Sequence, residues 1–166
     1  MEKAKKELQR MENMSVIPRV DKPTNWCSGM VVVPKSDGSV RICVDLTKLN
    51  ESILRENHPL PCVDQTLGQL TWAKIFSKID SNSSFWQASL FEESKSLTTF
   101  ITPFGRLQFE RLPFEISSAP EFYQKRIFET LEGTEGVACH MDDVLVHGMN
   151  QNLHDTRLEA VLQKLT

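Results

Sequence analysis

The stretch that decides the fold is EGVACHMDDVLVHG, residues 135–148, in which two aspartates stand side by side between apolar residues. Residues 137–138 and 144–146 are short β-prone runs bounded by glycines, a pattern that predicts strand, tight turn and strand. Asp142 and Asp143 then lie at or beside the turn of a hairpin. Such a pair is usually solvated and bonds the local backbone, but two adjacent carboxylates also repel each other until a cation joins them. A third ligand is needed to choose between these interpretations.

Asp80 is the candidate for that third ligand. It ends the segment AKIFSKID, whose β-branched and aromatic residues predict a strand, and the SNSS that follows predicts a turn and a cap for a short helix. Taken alone, Asp80 is typical of an ordinary turn aspartate. If its strand lies beside the hairpin, however, three carboxylates converge on one sheet edge, which is too costly without a partner. Oxygen ligands with no His or Cys select Mg²⁺ or Mn²⁺, and a pair of such ions supports phosphoryl or nucleotidyl transfer.

Composition restricts the class of protein without indicating a reaction. A chain of 166 residues with 40% hydrophobic and 25% charged residues is typical of one soluble globular domain. No apolar run is long enough to span a bilayer, and the charged N-terminus is unlike a secretory signal. Four cysteines without CxxC spacing favour reduced thiols in an intracellular protein over disulfides or zinc. Because the net charge is −3, any contact with nucleic acid has to come from a local groove.

The other predicted elements indicate an α+β domain with a largely antiparallel sheet. Strands are predicted over 30–33 and 40–44, joined at Asp37-Gly38, which is a strong hairpin signal. Lys35 beside that turn is as consistent with a solvated tip as with a phosphate contact. Helices are predicted in four places: the first dozen residues up to a stop at Pro18, a short segment within 56–70, residues 117–133, and residues 154–166.

Six blocks of the sequence carry a resemblance to a known family. They are VVVPKSDGSVRICVD, HPLPCVDQTLGQL, FSKIDSNSSFWQASL, TTFITPFGRLQFERLPF, SSAPEFYQKRI and CHMDDVLVHG. In this order, and at roughly this spacing, they resemble the reverse transcriptases of Ty3/gypsy-type LTR retrotransposons. The resemblance covers residues 8–166, nearly the whole chain. One Asp-Asp pair is a weak signal, whereas six ordered blocks are specific.

The resemblance implies the right-hand fold of polymerases, with an antiparallel palm sheet and packed helices. Residues 1–14 would form an N-terminal helix leading into the fingers. The fingers would comprise approximately residues 1–55 and 88–118, and the palm approximately residues 56–87 and 119–166. We also expect truncation before the thumb, so that the thumb, ribonuclease H and integrase of the family's Pol polyprotein are absent from this chain.

The implied activity is that of an RNA-directed DNA polymerase, which adds dNTPs to a primer 3′-hydroxyl on an RNA or DNA template by two-metal nucleotidyl transfer. Asp80, Asp142 and Asp143 would be the catalytic residues and would bind Mg²⁺, with Mn²⁺ as a substitute. The implied nucleotide-binding residues are Lys35 and Arg41 at the triphosphate, Phe85 against the sugar where it excludes a 2′-hydroxyl, Met141 at the primer end, and Phe114 in the pocket lining.

Among the positions that depart from the family pattern, three bear on the candidate site. His140 replaces the usual aromatic residue, Ser84 replaces a common glycine, and Glu115 places a negative charge where a glycine permits close approach to the triphosphate. The departures and the expected truncation leave a second function class open, an inactive retrotransposon remnant with at most weak nucleic-acid binding. The expected partners are a primer–template and dNTPs rather than a membrane. The expected location is the cytoplasm, in virus-like particles of the parent element, or the nucleus.

Overall fold

The structure, a computed structural model, describes residues 1–55 and 70–165, which fall into two compact units. The first unit consists of Met1–Leu54 and Phe85–Ala119. The second unit contains the described residues of Arg55–Ser84 and Pro120–Thr166. The short helix predicted within 56–70 lies outside the described residues except for its last position.

The first unit begins with helix α1 (Glu2–Asn13), which confirms the predicted N-terminal helix. Its apolar residues Ala4, Leu8 and Met11 recur at helical spacing and are buried. Strands β1 (Ser28–Pro34) and β2 (Val40–Val44) form the predicted hairpin. Gly38 adopts a φ of +79° in its turn, which a residue without Cβ does at little cost.

The first unit's sheet has four strands in the order β2-β1-β4-β5, where β4 is Phe100–Thr102 and β5 is Gly105–Leu107. The β1–β4 pair is parallel and the other two pairs are antiparallel. Phe100 and Phe109 stack in the core with ring centroids 5.4 Å apart. Short helical segments complete the unit: α2 (Thr47–Asn50), α3 (Glu92–Lys95) and the 3₁₀ turns Ser84–Gln87, which begins one residue before the unit, and Ser96–Thr98.

The second unit contains an antiparallel sheet of three strands in the order β3-β7-β6. These strands are β3 (Ile75–Asp80), β6 (Val137–His140) and β7 (Asp143–Gly148). The predicted strand ending at Asp80 and the predicted hairpin are therefore both confirmed. Val144 and Val146 of the central strand are completely buried, while the alternating residues of β3 are more exposed. Helices α4 (Ala119–Thr130) and α5 (Gln151–Leu165) match the remaining predicted helices.

Helix α5 packs on β7 and β3. His154 is buried, and its Nε2 lies 3.0 Å from Ser77 Oγ while its Nδ1 lies 2.8 Å from Asp155 Oδ1. Arg157 donates a hydrogen bond of 2.9 Å to the carbonyl of His147. Side chains and backbone of two strands thus fix this helix against the sheet. Within the described ranges no helix, α5 included, is long and apolar enough to cross a membrane.

Candidate active site

Asp80 and Asp143 face each other across the sheet of the second unit. The β3–β7 register pairs Asp80 with Asp143, and the β6–β7 register pairs His140 with Asp143 from the other side. Residues paired across neighbouring strands project to the same face, so these three form one row. Asp142 lies next to the row, in the turn between β6 and β7, where its carbonyl accepts a hydrogen bond of 2.9 Å from Ser81 N–H. The register therefore brings the three predicted carboxylate residues to one sheet edge.

The turn that carries the aspartate pair has an unusual backbone. Met141 has a φ of +52°, in the left-handed region that non-glycine residues rarely adopt. Gln124 of α4, only 1% exposed, accepts a hydrogen bond of 2.6 Å from Met141 N–H through its Oε1. Its Nε2 donates a longer bond of 3.4 Å to the carbonyl of Cys139. The buried Gln124 side chain therefore stabilises the strained backbone of the turn through hydrogen bonds.

We expect Gln124→Leu to destabilise the protein by about 1–3 kcal/mol, because the half-buried Met141 N–H loses its hydrogen-bond partner. Urea unfolding followed by circular dichroism measures the change. The matched control is Gln9→Leu, since Gln9 is also a helical glutamine but is exposed on α1. Equal stability losses for the two variants would show that the bond to the turn contributes nothing.

Lys78 forms an ion pair with one of the three aspartates. Its Nζ lies 2.9 Å from Asp143 Oδ2, and the two side chains are 60% and 45% exposed. The hydrogen bond and the charge of Asp143 raise the pKa of Lys78, and the charges of Asp80 and Asp142 raise it further. One ammonium group therefore interacts with all three carboxylates.

The aspartates suit a divalent cation in their chemistry, although their side chains are not closed around one. Within residues 1–55 and 70–165, no group of three or more His, Cys, Asp or Glu side chains is arranged to hold a metal ion. One oxygen of Asp143 bonds Lys78 instead. Three carboxylates are nevertheless the hard oxygen donors that Mg²⁺ and Mn²⁺ select. The Lys78 ammonium shows that a positive charge is accommodated beside them. The residues therefore fit such an ion by donor type and by backbone register.

The two predicted triphosphate contacts lie on the β1–β2 hairpin of the first unit. Lys35 and Arg41 are both exposed. Lys35 N–H donates a hydrogen bond of 2.9 Å to the carbonyl of Ser39, which closes the hairpin, and Arg41 pairs with Val33 across the strands. The hairpin thus presents two exposed cations from one rigid element.

The predicted pocket aromatics Phe85 and Phe114 contact each other within the first unit. Their ring centroids are 4.8 Å apart, and Phe85 is 9% exposed while Phe114 is 47% exposed. Trp86 meets the Phe114 ring edge-on at 5.8 Å, and the Arg10 guanidinium lies 5.6 Å from the centroid of Trp86. Ser84, which departs from the family's glycine, is 2% exposed, so its hydroxyl is accommodated inside the protein.

Comparison with known sequences identifies the family of this chain. The sequence pattern of the family described as "Reverse transcriptase (RNA-dependent DNA polymerase)" matches residues 33–166. The chain belongs to the reverse transcriptase family. The Tf2-3 and Tf2-7 transposon polyproteins of Schizosaccharomyces pombe are 34% and 33% identical to this reverse transcriptase domain over 153 residues, 91% of the chain. The chain spans 11% of the length of each polyprotein. The resemblance to Ty3/gypsy-type elements is confirmed.

Comparison with solved structures gives the fold of the domain. A mutant of the prototype foamy virus protease-reverse transcriptase superposes with a TM-score of 0.87 at 21% identity, over 98% of this chain and 22% of that chain. The foamy viral protein in complex with an RNA/DNA hybrid gives 0.84 at 22% identity, over 98% of this chain and 22% of that chain. Its complex with dsDNA gives 0.85 at 20% identity, over 98% and 34%. The predicted fingers-and-palm polymerase fold, with an antiparallel palm sheet, is confirmed.

Glu115 of this reverse transcriptase domain is held in a half-buried position. Asn50 fixes its backbone, donating 2.9 Å from Nδ2 to the Glu115 carbonyl and accepting 2.9 Å from Ser117 N–H at Oδ1. Burial raises the pKa of Glu115, opposed by hydrogen bonds from backbone N–H groups and the Cys43 thiol and by the charge of Arg41. The carboxylate that departs from the family pattern thus lies in the electrostatic reach of Arg41, one of the two predicted triphosphate contacts.

We expect Glu115→Gln to raise the Tm at neutral pH and to leave it unchanged in acid. Because folding raises the pKa of Glu115, the folded state binds the proton more tightly than the unfolded state. The unmodified domain therefore loses stability as pH rises from the ordinary carboxyl pKa through the raised one, whereas glutamine does not titrate. The difference in Tm between the Glu115→Gln variant and the unmodified domain should therefore increase over this pH range and stay constant above it.

The Tm of the Glu115→Gln variant and of the unmodified domain is measured by thermal unfolding from about pH 4 to pH 8. This range begins near the ordinary pKa of glutamate. The matched control is Glu51→Gln, because Glu51 is an exposed carboxylate of the same unit. A difference in Tm for Glu115→Gln that is the same at every pH would contradict the burial of that charge.

The sequence prediction missed two residues that shape the site, Lys78 and Gln124. A signal existed for each of them. Lys78 lies two residues before Asp80, so strand alternation places both on one face of β3. Gln124 shares a helical face with the buried Ile127 and Leu131, so it is a polar residue within an apolar period. Such a residue needs an internal hydrogen-bond partner, and here the partner is the turn.

Proposed function

We propose that the chain is the fingers and palm core of an RNA-directed DNA polymerase, which adds dNTPs to a primer 3′-hydroxyl on an RNA or DNA template. The first unit would be the fingers and the second unit the palm. The observation that supports this most directly is the pairing of Asp80 with Asp143, beside Asp142, on one edge of the second unit's sheet. Family membership supports this reaction, and the position of the three carboxylates supports their assignment to it.

In this proposal each predicted residue has a physical task. Asp80, Asp142 and Asp143 would hold two Mg²⁺ or Mn²⁺ ions, which when bound would activate the attacking oxygen and stabilise the leaving one. The cations Lys35 and Arg41 bind the triphosphate oxygens.

The other predicted residues act on the sugar and on the primer. The largely covered Phe85 ring supports the sugar face and excludes a 2′-hydroxyl, with Phe114 as its neighbour in the lining. Met141, held by Gln124, presents the turn to the primer end.

The proposed partners are a primer–template and dNTPs, together with other Pol domains of the parent polyprotein. Foamy viral proteins of the same fold have been solved in complex with dsDNA and with an RNA/DNA hybrid, which supports a primer–template partner. The chain corresponds to 11% of the length of the Tf2-3 polyprotein, which supports other Pol domains as partners. We propose a cytoplasmic location, in particles of the parent element, with the nucleus as the alternative.

Primer extension tests the proposal. The unmodified chain is incubated, in molar excess, with a self-priming RNA template and dNTPs, with Mg²⁺, with Mn²⁺ or with EDTA. The excess of protein ensures that weak duplex affinity does not hide the chemistry. The Glu115→Gly variant runs in parallel, and circular dichroism verifies that both are folded.

Each outcome of that assay separates the two function classes. Extension that needs a divalent ion supports the polymerase core. Extension only after Glu115→Gly supports a polymerase site that one carboxylate blocks. No extension from either folded protein contradicts the proposal and favours the inactive remnant.

A further inference from the structure

We propose that Lys78 is a built-in counterion of the aspartate site, and that its ammonium competes with the divalent cation for Asp143. This inference rests on the proposed function, in which Asp143 is a metal ligand. It assigns Lys78 as a positioning residue, since it acts on the carboxylate and not on the substrate.

The strand register explains why Lys78 reaches this carboxylate. Lys78 and Asp80 are separated by two positions on β3 and project to the same face. Lys78 pairs directly with Leu145, so Asp143 is its diagonal neighbour on β7. A long side chain spans a diagonal of this kind, and the Nζ–Oδ2 distance of 2.9 Å is that of a direct ion pair.

The charge balance of the site gives Lys78 its role. Three carboxylates lie together at one end of the sheet, and a cation beside them reduces the repulsion between their negative charges. A single exposed ion pair contributes little, but this ammonium bonds Asp143 directly and lies on the same face of β3 as Asp80. Lys78 therefore stabilises the metal-free domain by the same interaction that a metal ion would replace.

Two opposite effects on the domain follow from this competition. Without metal, the positive charge of Lys78 favours the folded state because it offsets the repulsion between the aspartates. With metal, the same charge opposes binding, since the ion must take an oxygen of Asp143 that bonds the ammonium and must approach a like charge. Loss of the charge should therefore weaken the metal-free fold and strengthen metal binding.

Mn²⁺ binding tests the second effect directly and needs no turnover. Electron paramagnetic resonance measures free Mn²⁺ while the protein is titrated. The proteins are the unmodified chain and its Lys78→Met, Lys78→Gln and Lys78→Arg variants. The Asp142→Asn variant serves as the blank, because it reports Mn²⁺ binding outside the aspartate site. We expect Lys78→Met and Lys78→Gln to bind Mn²⁺ about fivefold more tightly than the unmodified chain, the scale of one ion pair of this exposure. Lys78→Arg keeps the charge and should stay close to the unmodified chain.

Urea unfolding in EDTA tests the first effect. Lys78→Met should lower the midpoint in the unmodified background, and this loss should shrink when Asp143→Asn is already present, because the coupled partner is gone. Lys78→Arg should retain most of the stability. A loss that is the same with and without Asp143→Asn would overturn the counterion role.

The titration also separates failure of this inference from failure of the proposed function. Equal or weaker Mn²⁺ binding by Lys78→Met and Lys78→Gln, with clear binding above the Asp142→Asn blank, overturns the competition and leaves the proposed function in place. Binding no stronger than the blank in every variant overturns the metal site, and with it both proposals.

Discussion

Replacement of Asp142 by asparagine (Asp142→Asn) is expected to reduce the rate of primer extension by about 10²–10³-fold, the scale seen when a preorganised electrostatic group is removed from an active site. The substitution keeps the size of the side chain and removes the negative charge that would hold a divalent ion. The turn should survive, because Asp142 contributes to it through its backbone carbonyl and Ser81 N–H. The loss should therefore appear in the rate and not in the stability.

Single-turnover extension on a pre-annealed primer–template measures this loss, and unfolding by urea verifies that stability is retained. Asp21→Asn is the matched control, since Asp21 is an exposed aspartate of the first unit and is not part of the turn. A rate for Asp142→Asn within a small factor of the control would contradict the assignment of this carboxylate to catalysis.

Gly148→Ala is expected to destabilise the domain by about 3 kcal/mol, the upper range for overpacking a tight contact. A Cβ at this position would lie 2.7 Å from the backbone nitrogen of His154 and 2.8 Å from its Cα. These atoms belong to the backbone and first turns of α5, so relief requires the helix to move away from β7. The same movement would weaken the contact of His154 with Ser77.

Urea unfolding of Gly148→Ala beside Gly29→Ala tests this packing. Gly29 is also a strand glycine, but a Cβ there would meet nothing within 4 Å. Alanine at Gly29 is expected to be neutral or slightly stabilising, because it reduces the entropy of the unfolded chain. A cost at Gly148 no larger than that at Gly29 would mean that α5 is not held tightly against the sheet.

The residues that depart from the family pattern are accommodated by this fold. Ser84 is buried, His140 is exposed and stands in the row with Asp80 and Asp143, and Glu115 is half-buried beside Cys43. The three residues are therefore compatible with this fold, and their effect on the proposed nucleotide and metal contacts has to be measured. The assays on Glu115 and Lys78 address those contacts directly.

The sequence by itself determined the elements around the aspartates. Alternation and turn residues predicted the strand that ends at Asp80 and the hairpin that carries Asp142 and Asp143, because these signals depend on neighbours within a few residues. Six ordered motifs determined the family. From this strand and this hairpin, the sequence predicted that the three carboxylates converge only if the strand lies beside the hairpin.

Only the tertiary structure decided how the site is held. The bond from Gln124 to Met141 N–H joins residues 17 apart along the chain, and the ion pair of Lys78 with Asp143 joins two strands. The burial of Glu115 likewise depends on a loop that Asn50 fixes from 65 residues away. Such contacts depend on strand register and on which helix face meets the sheet, and local propensity does not encode either. The sequence therefore indicated the chemistry of the site. The charge balance of the site and the hydrogen bonds that hold its turn depend on tertiary packing.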